Sequence, residues 1–205
     1  MKLYSYVVAR DYGFAPNPHY GFCTLATCKP ILRRKASIGD WVIGTGAASN
    51  HLSGHLVYAM RVSEIMTFNE YFADPRFATK KPNLHGSLKQ AFGDNIYFQD
   101  DSGCWQQLDS HHSLADGSPN PENVGNDTDP NRLLVSDHFA YFGSEAPLIP
   151  QEVRMHGADD LCALRHYKND FAPEHIARFV EWFEGLHAVG ARGRPREWLK
   201  QGALK

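Results

Sequence analysis

No run of residues in this chain is apolar for anything near the roughly 18 positions that a membrane span requires. The opening Met1-Lys2-Leu3-Tyr4-Ser5-Tyr6-Val7-Val8-Ala9 is halted by Arg10-Asp11, too soon and with too much β-branching for a secretory leader. Cysteine is scarce. Four in 205 residues, with no Cys-x-x-Cys pair, exclude a disulfide scaffold. An excess of positive charge is also missing: 21 basic against 23 acidic residues give a net charge of −2, which excludes a polycationic, tail-driven nucleic-acid binder. Together these absences predict a cytoplasmic protein with reduced thiols and no membrane partner. What the chain does have is 42% hydrophobic residues, enough for one domain over 1–205 that folds without staples.

The near-neutral total hides an asymmetry. Residues 1–90 carry a balance of +6 and residues 91–205 a balance of −8. The positives bunch at Lys29-Pro30-Ile31-Leu32-Arg33-Arg34-Lys35 and at Lys80-Lys81. From Asp94 to Asp137 there are nine acidic residues and one basic, Arg132. The first segment suits a phosphate-bearing ligand, and the second suits a cation or sugar hydroxyls. Two solvated faces would leave the same pattern.

Leu3 to Ala9 reads as a strand, followed by a Pro/Gly-rich loop that holds Tyr12 and Phe14, with Tyr20 just beyond. Ile38 to Gly44 reads as a turn and a short buried strand, and His55 to Met66 as a longer one. Thr67 and Glu70 form a capping box for a short helix that Asp74-Pro75 ends. Asn95–Gln99 and Cys104–Leu108 flank a Gly-containing loop and predict a hairpin. Residues 109–131 offer almost nothing to a core and read as a long polar loop. Leu133 to Phe142 is a strand. In the terminal extension 171–205, Pro173 opens a helix with Ile176, Phe179, Val180 and Phe183 at helical spacing. The order predicts an α+β fold, a twisted and mostly antiparallel sheet or partly open β-barrel, with a covering C-terminal helix.

A basic run, the Gly39-Asp40 turn and the strand after it resemble the small barrels of the PUA, EVE and ASCH type. Such barrels bind nucleic acids or modified bases. A longer resemblance rests on Gly13-Phe14-Ala15-Pro16-Asn17-Pro18, Cys23-Thr24-Leu25-Ala26-Thr27-Cys28-Lys29-Pro30, Arg33-Arg34 and Gly39-Asp40-Trp41-Val42-Ile43-Gly44-Thr45-Gly46. It continues through Gly86 to Tyr97, Ser110-His111-His112-Ser113, Asp116 to Pro121 and Phe139 to Gly143. These segments resemble the family called nucleotide modification associated domain, type two. The resemblance spans nearly the whole chain and implies an association with DNA base modification. It carries over no catalytic residue.

On the residues themselves, the expected function is binding of a nucleotide or modified base. Tyr12, Phe14 and Trp41 would stack on the base, Asn17 would read an edge, and Lys29, Arg33 and Arg34 would hold phosphate. The expected partners are a nucleotide, or nucleic acid carrying modified bases, together with DNA-modification proteins. Asn120 and Asp127 are further ligand-binding candidates, and the enzymatic alternative places His111, His112 and Asp116 at the chemistry, with or without a divalent metal. A third alternative is a structural component of a modification complex.

Two other motifs carry less. Cys23-x₄-Cys28 with His19 lacks the second pair that a zinc site needs, so no metal ligand is assigned. The same Cys28-Lys29 places a cation beside a thiol, the setting of a nucleophilic cysteine. Arg192-Gly193-Arg194-Pro195 has the core of a minor-groove hook, but a helix before it and Arg196-Glu197-Trp198-Leu199 after it predict folded structure.

Overall fold

A computed structural model describes residues 1–162 and 166–202. The chain runs through β1 (Leu3–Val8), β2 (Cys23–Leu25), α1 (Pro30–Lys35), β3 (Trp41–Gly46), β4 (Leu56–Arg61), β5 (Glu64–Met66) and α2 (Phe68–Ala73). It continues with α3 (Leu88–Ala91), β6 (Tyr97–Gln99), β7 (Trp105–Gln107), α4 (Pro121–Thr128), β8 (Leu133–Ser136) and β9 (His138–Tyr141). Then come α5 (Gln151–Arg154), β10 (Met155–His156), β11 (Asp159–Asp160), β12 (Tyr167–Lys168), α6 (Pro173–Gly185), β13 (Gly190–Ala191) and α7 (Arg196–Gly202).

The fold is α+β, as the sequence predicts, but its main sheet is open. Six strands lie in the order β12-β1-β3-β4-β9-β13, with β1–β3 and β9–β13 parallel and the other neighbours antiparallel. The expected barrel does not form. Strands that could have closed it, β2, β8 and β5, pair with one another as a separate antiparallel sheet. Two long stretches that read as single strands each serve both sheets. The first breaks between β4 and β5, where Val62 exchanges main-chain hydrogen bonds with Asp40 and Gly39. The second breaks between β8 and β9, where the Ser136 hydroxyl holds the His138 main chain. The 95–108 hairpin and the capped helix at 68–73 form as expected.

Alternation along β1 and β3 sends side chains to two cores, which is why these strands are buried on both faces. Leu3, Trp41 and Ile43 face α5 and α6, where Ile176, Phe179 and Phe183 fill the layer at the predicted helical spacing. Each fully buried side chain of this kind contributes about 1.5–3 kcal/mol. Tyr4, Tyr6 and Val42 face the smaller sheet, meeting Cys23, Leu25, Leu134 and Leu32 of α1. The far side of that small sheet, through Ala26, Leu133 and Val135, packs on Phe14, Phe68, Tyr71, Phe92 and Tyr97.

A buried ionic cluster pins this third layer. The Lys80 ammonium, with no exposed surface, donates to Asn17 O at 2.9 Å, Asn17 Oδ1 at 2.7 Å, Phe22 O at 3.0 Å and Thr24 Oγ1 at 3.0 Å. Thr24 and Tyr71 hydroxyls donate in turn to the equally buried Asp94 carboxylate. Among the described residues, no helix is long and apolar enough to cross a membrane.

Candidate functional site

The site is built where the small sheet meets the polar segment. After β2 the chain turns through Cys28 (φ 59°) and Lys29 (φ 47°) before Pro30 starts α1. Two consecutive left-handed residues without glycine cost on the order of 1–3 kcal/mol each, and such strain gathers at functional positions. Here the turn lifts the Cys28 side chain out of the core, half-exposed, while Cys23 stays buried.

Residues 109–131 supply the other half, and they are not a plain loop. Asn120 caps α4 by accepting from the Glu122 and Asn123 main-chain N–H groups, and Pro121 takes the first helical position. At the far end of α4 sits Asp127, only 3% exposed. Its Oδ1 accepts from the Cys28 main-chain N–H at 2.7 Å. Its Oδ2 accepts from the Tyr97 hydroxyl at 2.9 Å and lies 2.8 Å from Nδ1 of His112. The other ring nitrogen, Nε2, stands 3.9 Å from Cys28 Sγ. Thiol, imidazole and carboxylate thus form a continuous chain: Cys28, His112, Asp127.

Electrostatics follow from this contact list. Burial opposes the charged ring of His112, but the hydrogen bonds to Asp127 and Cys28 outweigh it and raise its pKa to about 9. His111 goes the other way, to about 4, through burial and then the charges of His112 and Arg10. Adjacent histidines are therefore held in opposite states at neutral pH: His112 charged, His111 neutral. Burial, followed by the charge of Asp127, pushes the Tyr97 phenol well up, so it remains a donor to that carboxylate.

Cys28 and both histidines open onto a pocket of about 240 Å³ that Arg10, Tyr12 and Phe14 also line. The His111 ring lies 4.4 Å from Tyr12 and 5.4 Å from Phe14, and His112 lies 4.7 Å from Phe14. The Tyr12 loop is held from behind by residues 195–198. Trp198 Nε1 donates to Tyr12 O at 2.9 Å, the Arg196 and Glu197 main-chain N–H groups donate to Asp11, and Pro195 packs on Gly13. The hook-like Arg192–Pro195 stretch is therefore folded chain that bonds to Tyr141 O and crosses closely over Phe142 at Gly193.

The family model for nucleotide modification associated domain 2 matches residues 1–202. The chain belongs to that family. No curated protein and no solved structure matches it.

In this nucleotide modification associated domain, the residues singled out by sequence separate into two groups. Tyr12, Phe14, His111, His112 and Asp127 come together at the pocket or directly behind it. The others lie elsewhere. Trp41 is buried under α6 against Phe183, 5.2 Å between ring centroids. Asn17 is fully buried, with its side chain committed to Lys80, His19 N and Phe92 O. Asp116 is exposed and closes a local turn by accepting from Ser118. Asn120 is the helix cap.

Of the basic run, Arg33 has no exposed surface. Its guanidinium donates to the carbonyls of Cys28 (2.8 Å), Asp127 (2.6 Å), Pro130 and Arg132. It is a staple joining the Cys28–Lys29 turn to the end of α4, not a phosphate contact. Arg34 is exposed and pairs with Asp129 at 2.9 Å. Lys29 is half-buried, with Nζ 4.6 Å from the Tyr6 ring centroid.

His19 does not converge with the cysteines. It stacks on Trp198 at 5.5 Å, and burial holds it neutral, with a pKa near 3. Among the described residues, no group of three His, Cys, Asp or Glu side chains is arranged to hold a metal ion. Arg10 on the pocket wall escapes the sequence reading because one arginine at a strand end carries no local signal.

Proposed function

We propose that this protein is a thiol-dependent enzyme acting on a nucleotide or a nucleobase, with Cys28 as nucleophile, His112 as its acid–base partner and Asp127 as the group that orients His112. The observation that carries this reading is the unbroken contact chain from sulfur through imidazole to a buried carboxylate, open to a small aromatic pocket. That arrangement is how a cysteine is made reactive: the thiolate is the attacking species, and a base fixed by a third group receives its proton.

In the reactive form the sulfur proton resides on His112 Nε2. The thiolate attacks an electrophilic carbon of the base, or of a group carried on the base, forming a carbon–sulfur bond while that carbon's π bond opens or its bond to a leaving group breaks, the electron pair passing to the neighbouring or departing atom. His112 then returns its proton to the departing or newly basic atom. Asp127 keeps Nδ1–H aimed away from the sulfur and supports the imidazolium charge throughout. Tyr12, Phe14 and neutral His111 give the pocket flat, uncharged faces suited to stacking on one heteroaromatic ring, an interaction of about 1–3 kcal/mol per base. Arg10 sits at its edge for an anionic or carbonyl substituent.

The test is a kinetic alkylation map with iodoacetamide, read by mass spectrometry at each cysteine. Cys104 is exposed, so it serves as the internal standard. At neutral pH Cys28 is expected to react at least about tenfold faster than Cys104 despite being less exposed, and His112→Ala is expected to remove that advantage. Equal rates at the two cysteines, or an advantage that survives loss of His112, would overturn the proposal. Protection of Cys28 by one member of a nucleoside and nucleotide panel would then name the substrate class.

A further inference from the structure

A second cavity lies on the other side of the Cys28–Lys29 turn. It measures about 690 Å³, within the size range of about 300–1,000 Å³ typical of small-molecule sites. It is lined by Lys29 and Lys35, by His166 and Tyr167, and by Pro30, Ile31 and Leu32. Among the described residues neither lysine is paired with a carboxylate, although this protein holds more acidic than basic side chains. The Lys29 ammonium is partly withdrawn from water and rests on the face of Tyr6. Lys35 reaches over the Tyr167 ring at 5.7 Å, and that ring packs in turn on Tyr4 at 6.1 Å. A cation such as Lys29, taken part-way out of water without a counter-ion, is costly, and with the exposed Lys35 beside it the site is electrostatically short of an anion.

We infer that this cavity binds the phosphate of a nucleotide, with Lys29 and Lys35 as the charge partners and Tyr167, Ile31 and Pro30 as the surface for the attached sugar or base. Consecutive residues 28 and 29 then line two different cavities, so one turn serves both a thiol and a phosphate. The inference rests on the nucleotide reading of this family, and it does not depend on Cys28 being reactive. The same phosphate chemistry is offered by a free nucleotide and by a DNA strand.

The experiment measures binding of three probes to the full chain by titration calorimetry: inorganic tripolyphosphate, deoxynucleoside monophosphates, and a single-stranded oligonucleotide. Tripolyphosphate and at least one nucleotide form are expected to bind and to compete with each other. Lys35→Gln, a change at an exposed position, is expected to weaken both, and Lys29→Gln with Lys35→Gln to weaken both by about tenfold or more. If the oligonucleotide is the tighter probe, the double variant should also reduce its salt dependence by about 1.4 logarithmic units per decade of salt. If a monophosphate is the tighter probe, the source is the free nucleotide. Absence of binding up to about 1 mM, binding of tripolyphosphate with neither nucleotide form, or undiminished affinity in the double variant would overturn it. Cys28 alkylation is read in parallel on Lys35→Gln. A weakened phosphate site beside an unreactive Cys28 sinks the thiol reading alone, and a reactive Cys28 without phosphate binding sinks this one alone.

Discussion

His112 Nδ1 lies 2.8 Å from Asp127 Oδ2, and the two residues are held there by opposite ends of one ordered segment. Asn123 Nδ2, from the first turn of α4, donates to His112 O at 2.8 Å, so the helix carrying the carboxylate also fixes the main chain of the histidine. Because the pair raises the folded-state pKa of His112 above its unfolded value, it stabilises the charged ring. Its contribution is complete below about pH 6.5 and is lost as pH rises through about 9.

The first prediction follows from that sign. The stability difference between the protein and a His112→Gln variant should be largest near pH 6 and lose its pH-dependent part by about pH 10. Thermal melts of both proteins across that range check it. A difference that stays constant with pH would show that the histidine is not held charged.

The two adjacent arginines should behave very differently. Arg33→Ala removes a buried guanidinium from four carbonyl oxygens and is expected to cost about 3–5 kcal/mol, because those acceptors stay buried. Arg34→Ala breaks an exposed pair with Asp129 and is expected to change stability by less than about 1 kcal/mol. Denaturant titrations of the two variants decide this, and similar losses for both would contradict it.

Tyr12→Ala should separate ligand binding from folding. The ring is half-buried against His111 and Phe92, on the pocket side of its loop. Nucleotide binding should weaken by about 1–3 kcal/mol, while Cys28 alkylation by iodoacetamide, which needs no base, keeps its rate. Loss of both together would mean that Tyr12 supports the Cys28–His112 geometry instead of the ligand.

Lys80→Met should leave Asp94 buried without its cation, and a loss of about 3–5 kcal/mol is expected. Replacing Asp94 by Asn as well should recover part of that loss, since the double variant no longer buries a lone charge. Additive losses in the double variant would exclude the coupling.

The parts of the fold legible in sequence are those fixed by local chemistry. The spacing of Ile176, Phe179 and Phe183, the Thr67–Glu70 cap and the Asp100–Gly103 turn each act within a few residues. The open sheet was not legible. Val62-Ser63 and Ser136-Asp137 look like interior strand positions, and only the competing sheet beside them turns each run in two. Helix α4 left a readable start at Asn120-Pro121-Glu122, yet its polar faces and Gly125 mask it, because it buries little more than Asp127 and Thr128. The site was half legible for a related reason. His112 and Asp127 stand out in a segment with no use for a core, whereas Cys28 meets its histidine 84 positions away, a pairing with no local trace.

Trp198 and Tyr12 are separated by 186 positions, yet one hydrogen bond joins the last helix to the loop that walls the pocket. During synthesis, Tyr12 emerges long before the segment that clasps it. At about 5–20 residues per second, that interval amounts to roughly ten to forty seconds. Throughout it, a nascent chain already carrying Cys28, His112 and Asp127 lacks the clasp behind Tyr12. Until Trp198 follows, those groups stand without the hydrogen bond that backs the pocket wall, so a chain cut short before α7 would carry them beside an unsupported Tyr12 loop.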